Sequence, residues 1–209
     1  MSCKRPNIYT DVKHCVGQAN LPGTREFVFM IPREDIVAWP EKGKLDDASA
    51  TLASIVTITG SFVLAADASW KKLTLSPDTN SFNSESQGNW GSKTFNNTVT
   101  VIHPGVNAEA AGLCAMLNND DVVFLVPMRD GRMRLFGNEM FQATVNPKQE
   151  SGAASAGDSA QTTLEISVTD ETPAPFYEGN VVLSDGSVIS GRDCAPVPME
   201  ARPITPEED

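Results

Sequence analysis

The sequence predicts one mostly β domain: an antiparallel β-sandwich or barrel with one flanking α-helix and long loops. Three observations point there. Most of the chain consists of short runs in which apolar and polar side chains alternate, the period of half-buried strands. A single stretch, 107–118, carries helical spacing. At 209 residues, of which 40% are hydrophobic, the chain can bury the core of one large β domain.

Taken in order, residues 1–23 are irregular, with Pro6, Gly17, Pro22 and Gly23, and read as an N-terminal arm that orders only by docking. The β domain is expected over 24–194. Arg25–Ile31 is a first strand, stopped by Pro32, and Asp35–Pro40 a short extended piece. Leu52–Thr59 alternates as a half-buried strand, Gly60 marks a bend, and Phe62–Ala66 and Trp70–Leu75 continue as strands. Residues 76–93 are Ser, Asn and Gly with two aromatics, and read as a long loop. Thr94–His103 is the cleanest strand: Phe95, Val99 and Val101 face one way, and Thr98, Thr100 and Ile102 the other. Pro104-Gly105 turns the chain into the helix, whose predicted stripe takes in Ala108, Ala111, Cys114 or Ala115, and Leu117 or Met116. Asp121–Val126 and Arg132–Phe136 form a hairpin around Asp130-Gly131. Glu139–Val145 is a further strand, 147–161 a second low-complexity loop, and Thr162–Thr169 another alternating strand. Val181–Leu183 and Ser187–Ile189 make a small hairpin, and 195–209 is a mobile acidic, Pro-rich tail.

The chemistry-bearing residues are sparse. No G-x-S-x-G, H-E-x-x-H or P-loop pattern occurs. His14 lies in the arm, and His103 at a strand end reads as a surface or packing residue. The carboxylate pairs Asp46-Asp47 and Asp120-Asp121 are sequence neighbours, which on a strand face opposite ways and make poor acid/base couples. Cys3, Cys15, Cys114 and Cys194 have no metal-type spacing and read as free thiols, with a Cys3–Cys15 clip or a zinc site with His14 as lesser options. No catalytic, cofactor-binding or metal residues are assigned, and the chain is read as a non-enzyme without cofactors. A net charge of −11 argues against nucleic-acid binding, which needs clustered Lys and Arg. The longest apolar stretch, 48–66, is broken by Ser, Thr and Gly, so it reads as strands, not a membrane span. Met1–Pro6 has basic residues without a following apolar run and does not read as a secretory signal.

Phe82 and Trp90 are out of place in a Ser/Asn loop. Burying one such ring is worth roughly 1.5–3 kcal/mol, so both should pack, on their own domain or on a neighbour. Uncommitted loops, irregular ends and these aromatics together suit a protein that contacts neighbours.

In the order of its motifs the chain resembles phage tail tube proteins, particularly those of phages and prophages of Bacteroidetes-type hosts. The resemblance runs over most of 15–179: Cys15, Pro22 and Gly23 lead into a strand, then Asp35-Ile36 and Pro40. Lys93–Thr100 (K-T-F-N-N-T-V-T) follows the polar loop. After Pro-Gly and the helix ending in Leu117-Asn118-Asn119 comes Asp121–Val126. Arg129–Gly137 (R-D-G-R-M-R-L-F-G) is the most telling piece, and Pro175–Gly179 closes the pattern. The resemblance implies a tail-tube-like sandwich whose copies, six to a ring, join sheets and stack into a tube through which DNA passes without specific binding. It further implies other tail proteins as partners, no membrane partner, and a place in the virion tail after assembly in a host cytoplasm. An acidic lumen would repel phosphates. Phe82, Trp90, Phe95, Pro22 and Gly23 are the candidate contacts between subunits or rings. Other readings are a tail terminator, completion or hub protein; a carbohydrate-binding sandwich using Trp70, Trp90 and Tyr177 as sugar platforms; and an enzyme.

Overall fold

A computed structural model describes residues 7–198 apart from 46, 48, 78 and 155–157. Its strands are β1 (Phe27–Pro32), β2 (Ile36–Ala38), β3 (Thr57–Ile58), β4 (Val63–Leu64), β5 (Lys71–Thr74), β6 (Ser81–Gln87) and β7 (Thr94–Pro104). After helix α1 (Ala108–Leu117) come β8 (Val122–Pro127), β9 (Met133–Phe136), β10 (Thr144–Glu150), β11 (Gln161–Asp170), β12 (Phe176–Tyr177), β13 (Asn180–Val182) and β14 (Val188–Ser190). The fold is mainly β and sandwich-like with one flanking α-helix, as the alternating runs predict.

The layers follow from the side-chain pattern. A six-stranded sheet, in the order β3-β12-β9-β8-β1-β5, forms the middle. Its central strand β8 (V-V-F-L-V-P) is buried at every residue, because both faces of this sheet are covered. On one face Val28, Val122, Phe124, Val126 and Phe136 pack against Val99, Val101, Leu164, Ile166 and Val168 of a four-stranded sheet, β10-β11-β7-β6. On the other, Phe29, Ile31, Val123, Leu125, Met133 and Leu135 pack under Ile58, Phe62, Trp70, Tyr177 and Val181. The small β2–β4 and β13–β14 ladders lie on that second side, with Ile36, Leu64, Val181 and Ile189 packed against this cluster. Every ladder is antiparallel except β12–β3 and the Trp70–Leu183 bridge.

Helix α1 starts where the sequence places it. The Asn107 side chain accepts a bond from the Ala110 N–H at 2.8 Å, a normal N-cap. Its buried stripe differs from expectation: Ala110, Leu113, Cys114 and Leu117 face the core, and Ala108, Ala111, Ala115 and Met116 do not.

Three assignments change. Residues 81–87 are not loop but strand β6, paired with β7 from Ser81↔Thr100 to Gln87↔Thr94. Ser-Phe-Asn-Ser-Glu-Ser-Gln has no β-branched residue, so its own propensity is weak and the long β7 ladder imposes the conformation. The strand expected over 139–145 begins only at Thr144 and runs to Glu150, through Pro147; an edge strand tolerates proline because one side of its ladder is open. Residues 52–59 shorten to a 3-10 turn at Ser54–Val56 and the two-residue β3. The start of the presumed tail is also held: Ile189 bridges Pro196, and the Val197 N–H donates to the Val188 carbonyl at 2.8 Å. Residues 199–209 and Cys3 lie outside the described residues.

Tyr177 is fully buried, and its hydroxyl donates to the Asn180 carbonyl at 2.9 Å. Burial pushes its phenol up to about 12 from 10. The neutral ring is the form the fold keeps. Its contribution is therefore complete below pH 10 and is lost as pH rises from 10 to about 12, where the unfolded chain ionises first. About 2–3 kcal/mol of stability should disappear across that window, and Tyr177→Phe should flatten the loss in denaturation midpoints measured from pH 9 to 12.

Candidate interface along the open borders of the four-stranded sheet

The four-stranded sheet has one buried and one outward face. Inward point Val145, Leu164, Ile166, Val168, Val99 and Val101, and with them Asn97, which is fully buried. The Asn97 side-chain oxygen accepts from the Ser84 hydroxyl and, at 2.9 Å, from the Ala174 N–H, while its amide donates to the Thr172 carbonyl at 3.1 Å. Because side chains alternate, the outward set is Asn83, Glu85 and Gln87 on β6, Asn96, Thr98, Thr100 and Ile102 on β7, Thr163, Glu165 and Ser167 on β11, and Asn146, Lys148 and Glu150 on β10. Ile102 apart, these side chains are polar, with three carboxylates and one amine. Lys148 sits 2.6 Å from Glu150 and holds that carboxyl below the usual range.

Both borders of this sheet are open among the described residues. β6 and β10 each pair on one side only, and each is seven residues long. With four antiparallel strands between and including them, the two borders run in opposite directions. Pro147 removes one backbone donor from the β10 strand.

Trp90, Pro22 and Gly23 flank the two ends of β6, and Phe95 lies on the adjoining β7. Trp90 stands at the tip of the β6–β7 hairpin, 95% exposed, between Gly88 and Gly91, both in the left-handed region at φ +91° and +95°. Gly23 lies at the other end of β6: its φ is +83°, its carbonyl accepts from the Arg129 N–H at 3.2 Å, and Pro22 beside it is exposed. Phe95 is half-buried at the start of β7, between Ser86 and Asp170 in register. Phe82 does not join them. It turns into its own domain, edge-on to Phe136 at 5.8 Å, with the Arg134 guanidinium 5.3 Å from its ring centroid. Arg134 also stacks on Phe176 at 3.6 Å and donates to the Ala174 carbonyl. Burial pushes its guanidinium down to about 10, so it stays charged at neutral pH. No sequence signal distinguished Phe82 from Trp90; Phe82 falls on the inward face of β6, opposite Val99, whereas Trp90 falls in the turn beyond the ladder.

The remaining candidates are dispersed. Trp70 and Tyr177, considered as sugar platforms, are buried in the core and cannot present a ring to a ligand. His103 donates one bond, from Nδ1–H to the Thr74 carbonyl at 2.8 Å, and His14 is exposed in the arm. Asp121 pairs with Arg33 at 3.3 Å, and Asp120 bonds the Asp121 N–H. Cys15, Cys114 and Cys194 are free thiols, and burial pushes Cys114 and Cys194 up. Among the described residues no three of His, Cys, Asp and Glu are grouped to hold a metal. No helix among them is long and apolar enough to cross a membrane. A broad concavity of about 790 Å³ is lined by Glu41, Lys42, Lys44, Asp47, Ser54 and Glu178 among others.

Comparison with protein families, with curated proteins and with solved structures finds no match to this chain.

Proposed function

We propose that this chain is a structural subunit of the tail-tube kind, joining its four-stranded sheet to those of identical copies to form rings, six to a ring, that stack into a tube for DNA passage in a phage tail. The observation that carries the reading is the pair of open, equally long borders, β6 and β10, at opposite edges of one sheet. A border strand is a row of unpaired N–H and C=O groups, and pairing satisfies it. Because β6 and β10 run oppositely, β6 of one copy can meet β10 of the next and continue the antiparallel alternation without a break. Such a contact is heterologous, and it closes into a ring when the rotation between copies divides a full turn. The polar outward face of the sheet then lines one side of the ring. With Glu85, Glu150 and Glu165 against Lys148 it is weakly acidic and would not retain phosphates.

Electron microscopy of the purified protein over a range of concentrations tests this. Rings or tubes are expected, and a monodisperse monomer at every concentration would rule the reading out. A protein that stops at single rings would instead fit a terminator or completion role.

Trp90 is the expected anchor between rings, since a hairpin tip gains nothing from a solvated indole. Trp90→Ser should leave the unfolding midpoint of the monomer unchanged and shorten tubes or leave single rings. Equal tube lengths for both proteins would remove Trp90 from the stacking contact.

A further inference from the structure

The outer face of α1 is unusual for a solvated helix. Ala108, Ala111, Gly112, Ala115 and Met116 recur at i, i+3, i+4, i+7 and i+8, and all are exposed. Glu109 is the single charge on α1. A helix that is apolar all round is ordinarily covered all round. Gly112 is the sharpest sign. A Cβ there would meet nothing within 4 Å, and alanine suits a helix interior better, so packing within the chain gives no reason for glycine. Close approach by another backbone does.

A second uncovered apolar element is the arm. Val12, Val16 and Leu21 are 87%, 101% and 56% exposed. Among the described residues, the first backbone bonds that tie the arm to the body are those of Gly23 and Arg25. Residues 1–23 hold Lys4, Arg5 and Lys13 against Asp11, a net +2, so the remainder of this −11 chain carries −13. The arm is thus a basic segment whose apolar residues seek an apolar surface on an acidic body.

Position joins the two. The arm leaves the body at Gly23, beside Asn80 at the start of β6. Helix α1 packs along β10, the opposite border of the same sheet. Extended, residues 7–22 reach roughly 50 Å, whereas neighbouring strands stand only about 4.8 Å apart. When β6 of one copy meets β10 of the next, the arm of the first emerges beside the helix of the second.

We propose that the N-terminal arm of each subunit lies across the exposed face of α1 of the adjacent copy, with its valines against Ala111, Gly112 and Ala115. The inference rests on the side-by-side reading above. It assigns the partner of the arm as a second copy of this chain, in the same ring.

Cys15, exposed in the arm, allows a direct test in the full chain. Ala115→Cys places a thiol on the exposed helix face without disturbing the core. Under mild oxidation of assembled protein, Ala115→Cys should give a ladder of dimers and higher multimers on a non-reducing gel, with most of the protein shifted. The ladder should vanish in Ala115→Cys/Cys15→Ser. Bands that persist without Cys15, or a cross-link that stays at monomer mass, would overturn the proposal. The same samples go to the microscope. Rings without a Cys15-dependent ladder would overturn the arm placement and leave the assembly reading standing, whereas neither rings nor ladder would overturn both.

Discussion

Gly179→Ala should cost about 3 kcal/mol or more and leave little soluble protein. The added Cβ would sit 2.2 Å from the Gly60 carbonyl oxygen and 2.6 Å from the Tyr177 hydroxyl. Neither can retreat: Gly60 O is main chain, and Tyr177 is fully buried under Phe62, with its hydroxyl bonded to the Asn180 carbonyl. Overpacking commonly costs 1–3 kcal/mol, and contact with backbone puts this site at or above the top of that range. The same substitution at Gly112 is the control, because its Cβ meets nothing. There alanine should raise stability by about 0.5–1 kcal/mol through helix propensity. Urea denaturation of both variants gives the comparison. A Gly179→Ala protein within 1 kcal/mol of the parent would mean that the β12–β13 turn does not pack on Gly60 as described.

Asp170→Ala should cost about 2–3 kcal/mol. Asp170 ends β11 with its carboxylate buried and fully engaged: it accepts from Lys42 Nζ at 2.9 Å, from the Thr172 N–H at 3.2 Å and from Asn138 Nδ2 at 3.2 Å. One carboxylate thereby ties the four-stranded sheet to the turn after β9 and to the loop before β3. Breaking a buried pair costs several kcal/mol because the surviving charge stays desolvated. The Lys42 side chain keeps 25% exposure, and water will recover part of the loss. Lys42→Met in the Asp170→Ala background should therefore restore about 1 kcal/mol, the excess due to the stranded ammonium. A double-mutant cycle measures it, and purely additive losses would show that the pair contributes through packing alone.

How much of this was legible differs by element. β7, α1, the β8–β9 hairpin, β11 and the β13–β14 hairpin stood out because each carries a strong local signal: strict alternation, helical spacing of apolar residues, or an Asp-Gly turn. β6 and β10 did not. One is a run of Ser, Asn, Glu and Gln, the other contains Pro147, and both exist because β7 and β11 offer long ladders to pair with. These two strands are the candidate interface, so the part of the fold on which the proposed function rests was the least readable.

The sequence by itself determined the class of fold, the acidic balance, the want of catalytic motifs and the presence of aromatics with no local reason to be where they are. Tertiary structure alone decided that Phe82 turns inward to Phe136 while Trp90 stays in solvent, that the outer stripe of α1 is Ala108, Ala111, Gly112, Ala115 and Met116, and that the four-stranded sheet ends in two open borders. The reason is physical. Alternation and capping are properties of a few consecutive residues, whereas the burial of a ring or the openness of a strand depends on which distant segment arrives beside it.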